Sequence, residues 1–104
     1  MAQAKIHLID SNHLGDFYFT QDAPNLATHL FALGRYTASQ DIEVFGIAED
    51  ACEELFDLTN NAYRQGERVV KYGRGRSLSV GDMVEVGNVF YVCRPNGWLE
   101  VDLA

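Results

Sequence analysis

Arg64, Arg68, Lys71, Arg74 and Arg76 place five of the chain's eight Lys and Arg side chains between positions 64 and 76. Gly73 and Gly75 break the backbone there, in the run "KYGRGRSLSVGDMVEV" from Lys71 to Val86. Guanidinium forks beside flexible glycines and backbone N–H groups suit phosphate or carboxylate, so the chemistry on offer is anion capture. The spacing is not that of a P-loop, because no Gly-Lys-Ser/Thr follows a GxxxxG frame. Nor is it a dinucleotide fingerprint, since "GRG" leads into a strand where that motif opens a helix. The competing reading is structural: the glycines set the turn, and Arg74 and Arg76 pair with an acidic helix face.

That acidic face is the second candidate. Residues 41 to 57 carry Asp41, Glu43, Glu49, Asp50, Glu53, Glu54 and Asp57 with no basic residue. Within "EDACEELFDLTNNA", Asp50, Glu53, Glu54 and Asp57 follow i, i+3, i+4, i+7 and share one side of a helix. A row of carboxylates can imitate nucleic-acid phosphates or steer a basic partner. The alternative is an ordinary solvated face.

Other chemistry is weakly signalled. His7, Asp10 and His13 have an H-x-x-D-x-x-H spacing, but on a strand and turn they would not converge, so no metal is expected. Cys52 and Cys93 are each predicted to point inward, one from a helix and one from a strand. Neither has the electropositive, accessible setting of a reactive thiolate. Phe17, Tyr18, Phe19, Phe90, Tyr91 and Trp98 could stack bases, yet "GNVFYV" lacks the RNP pattern and aromatics on strands usually pack inward. No catalytic residue and no cofactor is expected.

The bulk properties narrow the field. The chain has 104 residues, net charge −7 and 47% hydrophobic residues. It is too apolar for a disordered chain and of a length for one domain, 1–104, with a modest core. Its net charge repels a phosphate backbone, which disfavours nucleic acid as a partner. No run is long and apolar enough for a membrane span. "MAQAKIHLID" lacks the apolar stretch of a signal peptide, so a cytoplasmic location is expected.

These side chains need a scaffold, and the pattern predicts one. "KIHLID" reads as a first strand with Ile6 and Leu8 on one side and His7 and Ile9 on the other. "SNHLGD" reads as a turn and Phe17 to Thr20 as a second strand. "QDAPNLATHLFALGR" is a helix capped by Asp22, with Pro24 in its first turn and Gly34 at its end. "DIEVFGIAED" gives a strand, with an apolar run as far as Ile47, and "EDACEELFDLTNNA" a second helix whose inner side is Cys52, Leu55, Phe56, Leu58 and Ala62. Residues 61 to 76 read as a loop. "MVEVGNVFYV" is a hairpin turning at Gly87-Asn88, with Val86 facing Val89 and Val84 facing Tyr91. "RPNG" turns again, and "WLEVDL" closes with Leu99, Val101 and Leu103 on one side. The expected fold is α+β: a mostly antiparallel sheet, a C-terminal three-stranded meander, and two helices packed on one face.

Residues 42 to 101 resemble the YodL-like domain of bacterial chromosomes, plasmids, phages and other mobile elements. The likeness rests on "IEVFGIAE", "CEELFDLTNN" and "GRSLSVGDMVEVGNVFYVCRPNGWLEV". That family joins a helix through a loop to a "GRSLSVSD"-like motif, then a hydrophobic hairpin and a glycine-aromatic strand. Gly75 to Asp82, Tyr91, Cys93, Gly97 and Trp98 stand at those positions. The resemblance implies a mobile-element accessory protein with no assigned reaction. Taken with the charge pattern, the expected function is a non-enzymatic factor that binds a host protein, as an inhibitor of host defence. The residues expected to carry it are Asp50, Glu53, Glu54, Asp57, Arg74 and Arg76. The rival is a nucleic-acid or nucleotide binder using Arg64, Arg68, Lys71, Arg74 and Arg76.

Overall fold

The first strand, β1 (Ala2–Ile9), organises the sheet in a computed structural model that describes residues 2–103. On one edge β1 pairs two short strands in succession, β3 (Ile42–Val44) along its first half and β2 (Tyr36–Ala38) along its second. Between them Ser39 fills the gap: its Oγ accepts from the Ile6 N–H at 2.9 Å and its N–H donates to the Ile6 carbonyl at 2.7 Å. On the other edge β1 pairs β4 (Met83–Val86), which opens a meander through β5 (Val89–Arg94) to β6 (Gly97–Val101). The sheet order is β2-β1-β4-β5-β6, every pairing is antiparallel, and β6 is the last strand.

The α+β class and the C-terminal meander are as expected, and the first hairpin has the expected register, with Val86 opposite Val89 and Val84 opposite Tyr91. Gly87 takes φ +62° at the first central position, which suits a tight hairpin turn.

The helices are a correction. They do not share a face. α1 (Ala23–Ala32) lays Ala23, Ala27 and Leu30 on Ile9, Met83, Val92 and Val101. α2 (Ala48–Asn60) lays Ala51, Cys52, Leu55 and Leu58 on Ala4, Ile6, Val84, Tyr91 and Cys93. Those two strand sets alternate along β1, β4 and β5, so they point to opposite sides of the sheet. The physical reason lies in the middle strands. Met83 and Val84 are both buried, as are Tyr91, Val92 and Cys93. Consecutive apolar residues in a strand require cover on both faces.

Three more expectations differ. Phe17 to Thr20 is not a strand: Ser11–Tyr18 forms a 3₁₀ segment that buries Phe17 and leaves Phe19 exposed. Asp10 launches it, its carboxylate accepting from the Asn12 N–H at 3.0 Å, a local bond that competes with strand pairing. Residues 61 to 76 are not one loop, since Ala62–Arg64 is a 3₁₀ turn and α3 runs Gln65–Lys71. Arg64 to Glu67 and Glu67 to Lys71 are i,i+3 and i,i+4 ion pairs that support this helix despite Gly66. The apolar run after β3 also leaves the sheet: Phe45 and Ile47 are exposed. The ends of α1 match expectation, with Asp22 capping the Asn25 N–H at 3.1 Å and Gly34 at φ +74°. Among the described residues no helix is long and apolar enough to cross a membrane.

Candidate functional site

The basic stretch folds back on itself. Asp82 is fully buried at the start of β4. Its Oδ1 accepts from the Ile9 N–H at 2.8 Å and from Arg76 Nη2 at 2.7 Å. Its Oδ2 accepts from Arg76 Nη1 at 2.6 Å and from the Ser79 N–H at 2.8 Å. Arg76 also donates to the Ile9 carbonyl at 2.7 Å. The carboxylate holds the guanidinium above its already high protonation range, and the pair ties the end of β1 to the loop before β4. Gly81 stands at φ +99°, where a Cβ would meet Phe17 Cδ2 at 2.6 Å. In "GRSLSVGD", therefore, Arg76, Gly81 and Asp82 form a structural clasp.

Its neighbours are similarly occupied. Thr59 Oγ1 accepts from the buried Leu78 N–H at 3.1 Å, and the Thr59 carbonyl accepts from Ser77 Oγ and Arg68. Arg68 reaches the Gly75 carbonyl as well. Arg64 is shared by Asp57 at 2.8 Å and Glu67 at 2.9 Å, and Lys71 pairs with Glu67 at 2.9 Å. Of the five basic residues, Arg74 alone has no ion pair or side-chain hydrogen bond among the described residues. The acidic partner of Arg76 is Asp82 of its own loop, while the arginine that pairs with a carboxylate of α2 is Arg64, through Asp57.

The acidic face of α2 is divided in the same way. Glu53 accepts from Trp98 Nε1 at 2.8 Å. Glu54 accepts from the backbone N–H groups of Phe45 and Gly46 at 3.0 and 3.2 Å and so fixes the β3–α2 loop. Asp57 serves Arg64 and Asn61. Asp50 alone of the four has no side-chain partner among the described residues. It stands beside Glu49 in the first turn of the helix, where the dipole favours both carboxylates.

These two carboxylates line an open groove of about 550 Å³ between the start of α2 and β6. Tyr91, Trp98 and Leu99 line it too, Ile47 lies at it with 74% of its surface exposed, and Glu100 adds a third carboxylate without a partner among the described residues. Among the described residues no basic side chain lines it. Glu49, Asp50 and Glu100 make the groove acidic; burial, then Glu100, Cys52 and Glu49, push the Tyr91 phenol upward. Ala48, at the rim, holds φ +51°, a left-handed conformation that costs a non-glycine residue energy.

The remaining sequence candidates disperse. His7 meets Glu85 at 3.0 Å, His13 meets Asp16 at 3.1 Å and Asp10 caps the 3₁₀ segment, so the three do not converge. Cys52 and Cys93 are both buried and unpaired, and burial pushes each thiol up to about 12. Phe90 faces the α1 side and Tyr91 the α2 side, which splits the aromatic set. Sequence reasoning missed Ile47, Glu49, Trp98 and Glu100 as a group, because apolar residues at period two read as core. An exposed isoleucine next to an acidic first turn was the available signal. Comparison with family models, curated proteins and solved structures gives no match.

Proposed function

We propose that this chain is a small accessory protein of a mobile element that works in the cytoplasm by binding a host protein, without catalysing a reaction of its own, and so inhibits host defence. The observation that carries the binding reading is the α2–β6 groove: an apolar floor and three carboxylates that pair with no cation among the described residues. Unpaired like charges at a concave apolar site weaken the isolated fold slightly and favour a partner that brings positive charge. Of the residues expected to carry binding, Asp50 keeps that role. Glu53, Glu54, Asp57 and Arg76 support the surface from within, and Arg74 remains an accessible cation at a separate site.

The test is affinity capture from host extract with the wild type, with Glu49→Lys/Asp50→Lys/Glu100→Lys, and with Arg74→Glu as a control. The expected result is loss of the captured protein by about tenfold or more in the triple variant, steepening with salt, and little change in the control. Equal capture by wild type and triple variant would refute the reading.

A further inference from the structure

From the geometry we infer that β6 accepts an extended, lysine- or arginine-bearing segment of the partner as an added strand. This deepens the binding reading above and rests on it. β6 ends the sheet, so its outer row of N–H and C=O groups has no strand partner among the described residues. The opposite edge is a poorer template, since it consists of two three-residue strands interrupted at Ser39. After Gly97, which holds a turn conformation at φ +101°, β6 offers Trp98 to Val101 without interruption.

Soluble proteins protect such edges with charged side chains, above all lysine, with proline or with a bulge. "GWLEV" has neither lysine nor proline, its one charge is the acidic Glu100, which repels an acidic strand and attracts a basic one, and Leu99 stands 37% exposed on it. Strand addition draws affinity from main-chain hydrogen bonds and specificity from alternate side chains. Trp98 and Glu100 face α2, because they lie opposite Cys93 and Tyr91 of the α2-side core, and Leu99 faces the other way. Side chains of the added strand that point toward α2 therefore meet Glu49, Asp50 and Glu100 above Trp98, which selects cations. Those pointing away lie beside Leu99, which selects apolar residues. A second copy of the chain is a worse occupant: it would bring another Glu100 to the same edge and another charge of −7.

The test uses the whole chain and a capped seven-residue peptide alternating lysine and valine. Trp98 is the single tryptophan and reports on the groove by its emission. The expected results are a saturable emission change and slowed amide exchange across residues 97–101. Binding should weaken about tenfold or more in Glu49→Gln/Asp50→Asn/Glu100→Gln, and also on raising salt from about 0.15 M to about 0.5 M. A peptide with proline at its centre should lose most of the affinity, and a glutamate-valine peptide should not bind. Equal binding of the proline peptide, unchanged exchange in β6, no response to the lysine peptide, or a dimer joined through β6 would each overturn strand addition. No peptide response together with charge-dependent host capture would leave the binding reading standing. Host capture indifferent to Glu49, Asp50 and Glu100 would remove that reading and this inference with it.

Discussion

Arg76 ends on a carboxylate of its own loop, whereas Glu100 ends in an open groove where no cation among the described residues faces it. Both belong to charged stretches that look equally available in the sequence. Around Arg76 the chain supplies the acceptors, the Asp82 carboxylate and the carbonyls of Ile9 and Ser77, and the Ser79 N–H completes the Asp82 side of the set. Around the Glu100 carboxylate the described residues supply none. Charge that is matched within the chain specifies the fold, and charge left unmatched at a concave edge is what a partner can use.

The sharpest test of this contrast lies within one tetrapeptide, "GRGR". Asp82→Asn, which deprives Arg76 of its buried anion, should lower unfolding free energy by about 3–5 kcal/mol, a large share of the roughly 5–15 kcal/mol typical of a domain. Arg74→Ala, two residues before Arg76, should stay within about 0.5 kcal/mol of wild type. Urea unfolding of the two variants measures both, and similar losses would erase the distinction. Thr59→Val comes next. It strands the Leu78 N–H in the interior and should cost about 1–3 kcal/mol by the same measurement.

The smallest expected effect concerns pH. Hydrogen bonds from Arg64 and Lys71 hold the Glu67 carboxyl down to about 2. A carboxylate held below its unfolded-state value stabilises the fold above about pH 4.5 and loses that contribution as pH falls toward 2. The Glu67 side chain is 38% exposed, so water screens most of the gain. The urea midpoint should drop slightly more steeply with acid in wild type than in Glu67→Gln, and parallel curves would show the cluster to be inert.

How far the sequence could be read follows the same division. The Gly87-Asn88 hairpin and the Asp22-capped helix were legible because their signals are local: alternation, a turn glycine, a capping side chain. The two-sided sheet was less so, although "MV" and "YVC" carry its signature, because one apolar run fits a covered strand or a helix segment equally well. β2 is only three residues long, too short for a period to emerge. The fate of each arginine was not legible at all. Arg76 meets Ile9 from 67 positions away, and nothing in the composition around residue 76 points to it. The groove is hidden for a related reason, since Ile47 and Trp98 meet only after α2 docks on the sheet.

The central place of β1 has a consequence for how the protein is made. Its main neighbour, β4, lies at Met83–Val86 and its anchor, Asp82, just before it. A ribosome therefore delivers the founding strand long before the strand that completes it, and the intervening chain must wait with that apolar edge uncovered. Pairings so distant in sequence slow folding and prolong the interval in which a nascent chain can aggregate. Synthesis halted ahead of Asp82 would release a chain holding all three α-helices and half a sheet, with nothing to close it.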